Sequence, residues 1–116
     1  MLNTAHRMRS SDQFGQAVRK GVRTGKSTMV VHFATTANTA DEPLVGFVVS
    51  KAIGKAVTRN LVKRRLRSIV RDRIADVPNG GLLVIRALPK AATADFAQLK
   101  KDLDSNLDKI LVKSRH

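Results

Sequence analysis

Hydrophobic positions recur along this chain with two different periods, and together they predict an α+β fold. Apolar residues every three or four positions are typical of amphipathic helices, and short runs rich in β-branched residues are typical of strands. The predicted elements are a helix over residues 11–20, strands over 27–35 and 44–50, a helix over 58–75, a strand over 82–88 and a helix over 94–113. The order α-β-β-α-β-α favours a single-layer sheet of about four strands packed against helices. A chain of 116 residues fits one domain, spanning residues 1–116.

The periodicity also assigns faces to these elements. Alternation in the first strand puts Met29, Val31 and Phe33 on one face and Val30, His32 and Ala34 on the other. The next strand follows closely, so the two are expected to pair as an antiparallel hairpin. On the last helix, the predicted core positions are Phe96, Leu99, Leu103, Leu107 and either Ile110 or Leu111.

Composition excludes several classes of protein. Hydrophobic residues make up 42% of the chain, which is enough for a core, and the absence of cysteine excludes disulfides and cysteine-ligated metal sites. No apolar run approaches the roughly 20 residues of a membrane span, and the N-terminal residues show no apolar signal segment. The sequence therefore predicts a cytoplasmic protein with no membrane partner.

The net charge of +13 is concentrated in two stretches of the sequence. Residues 1–26 hold six Lys or Arg against one acidic residue, and residues 51–73 hold nine against one. The rest of the chain is electrically balanced. Because clustered cations repel one another and destabilise a compact state, this distribution indicates an anionic partner, which could be nucleic acid, an acidic membrane face or an acidic protein.

The predicted helix over residues 58–75 carries the strongest functional pattern. Its apolar stripe, formed by Val62, Leu66, Ile69 and Val70, is expected to pack on the sheet. An adjoining face carries five donor-bearing side chains without a carboxylate among them: Asn60, Lys63, Arg64, Arg67 and Arg71. An ordinary solvated face mixes Glu with Lys. A surface this rich in arginine favours fork-like hydrogen bonding to phosphate.

The segment VGFVVSKAIGKAVTRNLVKRRLRSIVR, residues 45–71, resembles the signature of the bacterial ribonuclease P protein subunit family. In that family a V-S-K-x-x-G-x-A-V segment leads into an R-N-R-x-K-R helix. The similarity extends upstream through residues 7–21 and covers nearly the whole chain, although the last helix matches by pattern only.

The resemblance implies a subunit that binds the catalytic RNA of ribonuclease P and the 5′ leader of precursor tRNA, promoting endonucleolytic removal of the leader. The RNA would carry the chemistry with Mg²⁺ at its own active site, and the protein would contribute no catalytic residue, cofactor, metal ligand or small-molecule site. The family also implies a left-handed β-α-β crossover, as in domain 2 of ribosomal protein S5. The implied RNA-binding residues are Lys51, Lys55, Arg59, Asn60, Lys63, Arg64, Arg67 and Arg71, and a leader cleft would be lined by Phe14, Val18, Val30 and His32.

This sequence departs from the family pattern in two places. Leu61 stands where the motif usually has Arg, and Val18 and His32 stand where relatives often have Phe and Tyr. Stacking of a base on an aromatic ring contributes roughly 1–3 kcal/mol. Leader binding is therefore expected to depend more on charge than it does in aromatic-rich relatives. Phe14 and Val18 could equally well face the core, because apolar pairs four residues apart on a helix usually do.

Two alternative functions remain open from the residues alone. One is a purely structural RNA-binding protein, such as a small ribosomal protein, and the other is a protein nuclease using one of the isolated histidines. The run of residues 21–27 imitates a phosphate-binding loop but has the wrong glycine spacing and flanking elements. Asp102, Asp104 and Asp108 lie among lysines and are expected to form a solvated helix face rather than a metal site.

Overall fold

The computed structural model describes residue 15 and residues 17–19, 21–35 and 42–113. Four strands form one sheet, and two long helices follow its third and fourth strands. The elements are β1 Val22–Lys26, β2 Met29–Thr35, β3 Leu44–Val48, α1 Ala56–Arg71, β4 Gly81–Ala87 and α2 Phe96–Lys113. The predicted α+β class is confirmed.

The strand order, β1-β2-β4-β3, differs from the expected pairing. β2 pairs antiparallel with β1 and with β4, while β3 runs parallel to β4 at the far edge. The hairpin predicted between the strands over residues 27–35 and 44–50, which correspond to β2 and β3, is therefore wrong. The real hairpin joins β1 to β2, and β1 escaped prediction because its sequence, VRTGK, has only one strongly apolar residue. The parallel pair needs a long crossover connection, which contains α1.

One face of the sheet packs against α1 and α2 and forms the main core. Met29, Val31 and Phe33 of β2 lie in this core, as predicted from their alternation. The apolar stripe of α1 is also confirmed, since Val62, Leu66, Ile69 and Val70 are all buried. On α2, Leu99, Leu103, Leu107 and Ile110 are buried, but Phe96 is 41% exposed because it is the first residue of the helix. Its assignment to the core is wrong.

The second face of the sheet has a smaller apolar cluster. Ala17 is fully buried there against Leu82 and Val84, with Leu44 and Val48 at the margin. Residues 15 and 17–19 are helical, in agreement with the predicted first helix, and the remainder of residues 11–20 lies outside the described residues. A Cβ on Gly21 would lie 2.1 Å from the carbonyl oxygen of Phe33, so only glycine allows the chain to enter β1 this close to β2.

Polar contacts fix α2 to the rest of the domain. Asp102 is 5% exposed and accepts hydrogen bonds from the Thr28 hydroxyl at 2.6 Å and from the Gln98 amide at 2.9 Å. The expectation of a solvated face is wrong for Asp102, because the β1–β2 turn covers this side chain. None of the helices in the described part of the chain is both long and apolar enough to cross a bilayer.

Candidate nucleic-acid interface

A short basic turn delivers the chain from β3 into α1. Residues Lys51–Ile53 form a single 3-10 turn that is anchored by the buried side chain of Ile53. Gly54 then adopts φ 143°, a conformation that side chains with a Cβ rarely tolerate, and this lets the backbone reverse before the helix. Lys51 and Lys55, on either side of Gly54, are both exposed.

The N-terminus of α1 lacks the usual stabilising groups. Lys55 occupies the N-cap position and makes no side-chain cap hydrogen bond, and the first turn contains no acidic residue. The helix begins at Ala56 and ends at Arg71, so it starts two residues earlier and ends four residues earlier than the predicted 58–75. Cations near a helix N-terminus oppose the macrodipole, so this end of α1 is electrostatically suited to an anion.

The polar face of α1 forms a continuous cationic surface, here called the basic ridge. The ridge consists of Asn60, Lys63, Arg64, Arg67 and Arg71. Asn60, Arg64 and Arg71 are exposed, and Lys63 and Arg67 are half-buried along the helix flank. At 1.5 Å per residue the ridge is about 17 Å long, which is enough to follow several phosphates of a nucleic-acid strand. Arg59, which directly precedes Asn60, is half-buried.

The described carboxylates leave most of this ridge unpaired. Among the described ion pairs, only one involves the ridge: Arg71 Nε lies 3.7 Å from Asp72 Oδ1, in a pair that is more than half exposed on both sides. Within the described ranges, no carboxylate forms an ion pair with Lys63, Arg64 or Arg67. Exposed pairs such as Arg71 with Asp72 are worth little, so the ridge keeps nearly all of its charge.

Two other arginines of the same basic stretch are used inside the protein. Arg65 donates to the carbonyl oxygen of Ala94 at 3.2 Å, tying α1 to the segment before α2. Arg73 contacts three carboxylates, those of Asp76 at 2.7 Å, Asp104 at 3.0 Å and Asp108 at 2.6 Å. Tertiary contacts therefore divide the basic stretch into structural arginines and free ones.

The ion network around Arg73 shifts the pKa values of its members. Burial alone would lower the pKa of Arg73, but the hydrogen bonds that its guanidinium donates to Asp108, Asp76 and Asp104 raise it above its ordinary value. Burial alone would raise the pKa of Asp104, but its hydrogen bonds with Lys100 and Arg73 lower it. Asp104 and Asp108 are thus charged partners of a structural arginine. Among the described residues, no group of three or more His, Cys, Asp or Glu is arranged to hold a metal ion.

Two of the predicted RNA-binding arginines carry unsatisfied donors. The Nε atoms of Arg59 and Arg67 are buried and have no hydrogen-bond partner. An unpaired buried N–H costs free energy, and most such groups in proteins do find a partner. An acceptor-rich ligand that reached these guanidinium groups would recover that free energy.

The predicted cleft residues lie in different environments on the second face of the sheet. Val30 is half-buried, His32 is 3% exposed and Val18 is 44% exposed, while Phe14 lies outside the described residues. Both ring nitrogens of His32 are buried without a partner. Burial, followed by the charges of Arg86 and Arg23, lowers the pKa of His32, so the ring is neutral at physiological pH. The His32 side chain is part of the protein interior and does not offer a ring face to solvent.

Comparison with known proteins agrees with this geometry. The family model described as Ribonuclease P matches residues 2–111, which is nearly the whole chain. The chain belongs to the ribonuclease P protein family. The ribonuclease P protein component of Streptomyces griseus is 50% identical, with 96% of each chain covered, and that of Corynebacterium diphtheriae is 46% identical over 95% of this chain and 97% of the relative.

Solved structures of the ribonuclease P protein family share the fold. The Staphylococcus aureus RNase P protein superposes with a TM-score of 0.80 at 23% sequence identity, over 94% of this chain and 96% of that one. The Thermotoga maritima RNase P protein superposes with a TM-score of 0.73 at 27% identity, over 90% of this chain and 94% of that one. As a family member, this chain is the protein component of the ribonucleoprotein endoribonuclease ribonuclease P, and RNA is its partner in the holoenzyme.

The ribonuclease P protein family signature did not point to two further cations near the predicted cleft. Arg23 and Arg86 are exposed on the second face of the sheet and flank Val30 and His32. Sequence reasoning missed Arg23 because β1 was not predicted. Arg86 could have been found, because it is the one charged residue in the otherwise apolar β4. Alternation along the strand places it on the face opposite Leu83 and Ile85.

Proposed function

We propose that this protein binds the catalytic RNA of ribonuclease P through the basic ridge of α1 and the basic turn before it. The observation that supports this most directly is the contrast within one basic stretch. Arg65 and Arg73 are held by internal acceptors, whereas Lys63, Arg64 and Arg67 have no ion-pair partner among the described residues. Cations maintained without internal partners are an electrostatic cost that an RNA backbone would offset.

The second part of the proposal is that the protein also binds precursor tRNA through its 5′ leader. The second face of the sheet supports this, because it lies opposite the two core helices and carries the exposed cations Arg23 and Arg86. A single strand could follow that face while the ridge contacts the RNA subunit. With the phosphate charges of both RNAs partly neutralised by the protein, the cleavage site of precursor tRNA would be brought to the active site of the catalytic RNA.

The protein contributes affinity and orientation in this scheme, and Mg²⁺ at the RNA active site supplies the chemistry. The buried ring nitrogens of the described histidine, His32, support that division, because they are not placed to act as a general acid or base on a bound substrate. We also propose a cytoplasmic location, which the lack of cysteine and the reducing chemistry of that compartment support.

Reconstitution tests this function. Precursor tRNA is incubated with the protein alone, with the cognate catalytic RNA alone, and with both, at magnesium concentrations at which the RNA alone is inactive. Cleavage at the mature 5′ end only with both components is the expected result. Cleavage by the protein alone would indicate a protein nuclease instead. Binding to RNA without any stimulation of cleavage would indicate a purely structural RNA-binding protein.

A further inference from the structure

The outer side of α1 carries two large apolar side chains that remain in contact with solvent. Val57 is 81% exposed and Leu61 is 36% exposed. They are four residues apart on one helix, so their Cβ atoms are neighbours at roughly 5–6 Å. Isolated exposed apolar residues are ordinary on protein surfaces. This adjacent pair forms a small surface, here called the apolar patch, on the side of α1 away from its buried stripe.

Cations surround the apolar patch. Around the helical repeat, the patch lies between the basic ridge on one side and Arg65 on the other. Arg64 of the ridge is exposed and follows Leu61 by three residues, so the two side chains are neighbours. Lys55, at the N-cap, is exposed two residues before Val57. The patch is therefore an apolar island within the cationic surface assigned to RNA binding.

A second exposed valine in the described part of the chain has different surroundings. Val112 is 55% exposed near the end of α2. The next residue, Lys113, donates from its Nζ to the carbonyl oxygen of Arg23 on β1 at 3.2 Å. Because β1 and β3 are the two edge strands of the sheet and α1 follows β3, Val112 lies on the other side of the domain from Val57.

The position of the apolar patch selects one kind of contact with RNA. The neighbouring cations bind phosphates, which an apolar side chain cannot do favourably. The uncharged surface that RNA offers is the face of a base, and that face is accessible where a nucleotide is unpaired in a loop or bulge. Apolar side chains pack against such a base and remove both surfaces from water.

We propose that Val57 and Leu61 form a contact site for an unpaired nucleobase of the catalytic RNA, beside the phosphate contacts of the basic ridge. The inference rests on the proposed function and adds a second mode of contact. The ridge binds phosphates with an affinity that falls as salt rises, whereas burial of apolar surface contributes equally at all moderate salt concentrations. Phosphates repeat along a strand, but an unpaired base occurs at a defined position, so this contact sets the register of α1 on the RNA.

The test measures binding of the catalytic RNA at several salt concentrations. Val57→Thr keeps the β-branched shape of valine and replaces one methyl group by a hydroxyl, and Val112→Thr makes the same change at the matched control position. We expect Val57→Thr to weaken binding about fivefold at every salt concentration, with an unchanged salt slope, because a polar group then faces the base. Leu61→Gln should act in the same direction, and Val112→Thr should bind as the wild type does. Urea unfolding verifies that each variant is folded.

The base itself is located by acylation of RNA 2′-hydroxyl groups, which reports the mobility of each nucleotide. An unpaired nucleotide should be immobilised by the wild type and by Val112→Thr but not by Val57→Thr. Removing the base of that nucleotide should weaken binding of the wild type about fivefold and have little further effect on Val57→Thr, because the two changes delete the same contact.

Wild-type affinity in folded Val57→Thr overturns this site, as does equal weakening by Val112→Thr. A reduced salt slope in Val57→Thr also overturns it, because the position would then act through phosphate contacts. Weakened binding of precursor tRNA with unchanged binding of the catalytic RNA would refute the assignment to the catalytic RNA. The proposed function fails on a different result, namely unchanged RNA affinity when Arg64 and Arg67 of the ridge are both replaced by Ala, so the two failures are distinguishable.

Discussion

Two sets of arginines in the same basic stretch should have different roles. Removing one set should weaken RNA binding, and removing the other should lower the stability of the fold. Arg64 and Arg67 lie on the basic ridge without carboxylate partners in the described structure, whereas Arg73 is 20% exposed and contacts three carboxylates. The double variant Arg64→Ala with Arg67→Ala should therefore weaken RNA binding and leave the fold intact. Arg73→Ala should destabilise the fold and leave the salt dependence of RNA binding intact.

The expected magnitudes follow from these contacts. Each phosphate contact contributes about 0.9 to the slope of log affinity against log salt in duplex RNA or DNA, so the ridge double variant should lower the slope by about one to two units. Its free energy of unfolding should change by less than about 0.5 kcal/mol, because surface substitutions that break no internal contact usually change it no more than this. Removing like charges from one helix face also relieves some repulsion. Arg73→Ala removes one cation from half-buried Asp104 and breaks two pairs with mostly exposed carboxylates, which together should cost about 1 kcal/mol.

Two measurements on the same variants check this. Filter binding or fluorescence titration of the catalytic RNA at several salt concentrations gives the slope, and urea unfolding gives the stability. An unchanged slope in the ridge double variant would mean that these side chains do not contact phosphate. A slope that falls equally in Arg73→Ala would show that net charge, rather than the ridge, controls binding. The absence of an internal carboxylate partner would then not identify the arginines that contact RNA.

Three further predictions concern single positions. Lys55→Asp supplies an acidic N-cap to α1 and should raise the free energy of unfolding by about 1 kcal/mol in urea titrations. The same substitution should weaken binding of the catalytic RNA. Stabilisation without loss of affinity would show that Lys55 does not contact the RNA. The lowered pKa of His32 means that the unfolded chain binds a proton below the ordinary value of 6.5 while the folded chain does not, so stability should fall as pH drops below 6.5. His32→Leu should remove that part of the pH dependence, and identical pH profiles for the two proteins would contradict a buried neutral ring. Leu61→Arg, which restores the usual family residue at a position 36% exposed, should raise the salt slope for the catalytic RNA by about one; no change would place residue 61 away from phosphate.

Local periodicity was sufficient to predict the helix on which the proposed function depends. The α-helical repeat fixes which residues share a face, so the buried stripe of Val62, Leu66, Ile69 and Val70 and the cationic face beside it followed from spacing alone. The same reasoning assigned the two faces of β2 correctly. The ridge and the main core are therefore properties of the sequence.

Strand pairing, by contrast, was decided by the tertiary structure. Two strands close in sequence favour a hairpin, but β2 pairs with β1 and β4 and leaves β3 to pair in parallel with β4. β1 is short, polar and glycine-containing, and it is stable as a strand because β2 supplies its hydrogen bonds and α2 covers its core-facing side, where Thr24 bonds to the Asn106 carbonyl oxygen. The hand of the crossover through α1 stays a prediction of the family resemblance.

Only the tertiary structure also separated free cations from structural ones. Arg64, Arg65, Arg67 and Arg73 are alike in the sequence, yet the carboxylates that hold Arg73 include Asp104 and Asp108, more than 30 positions further along the chain. Burial of His32 and exposure of Arg23 and Arg86 likewise depend on which strands lie beside β2. A residue's charge and helical face are local properties fixed by the backbone repeat, whereas its partners and its access to solvent are set by contacts between segments that only folding brings together.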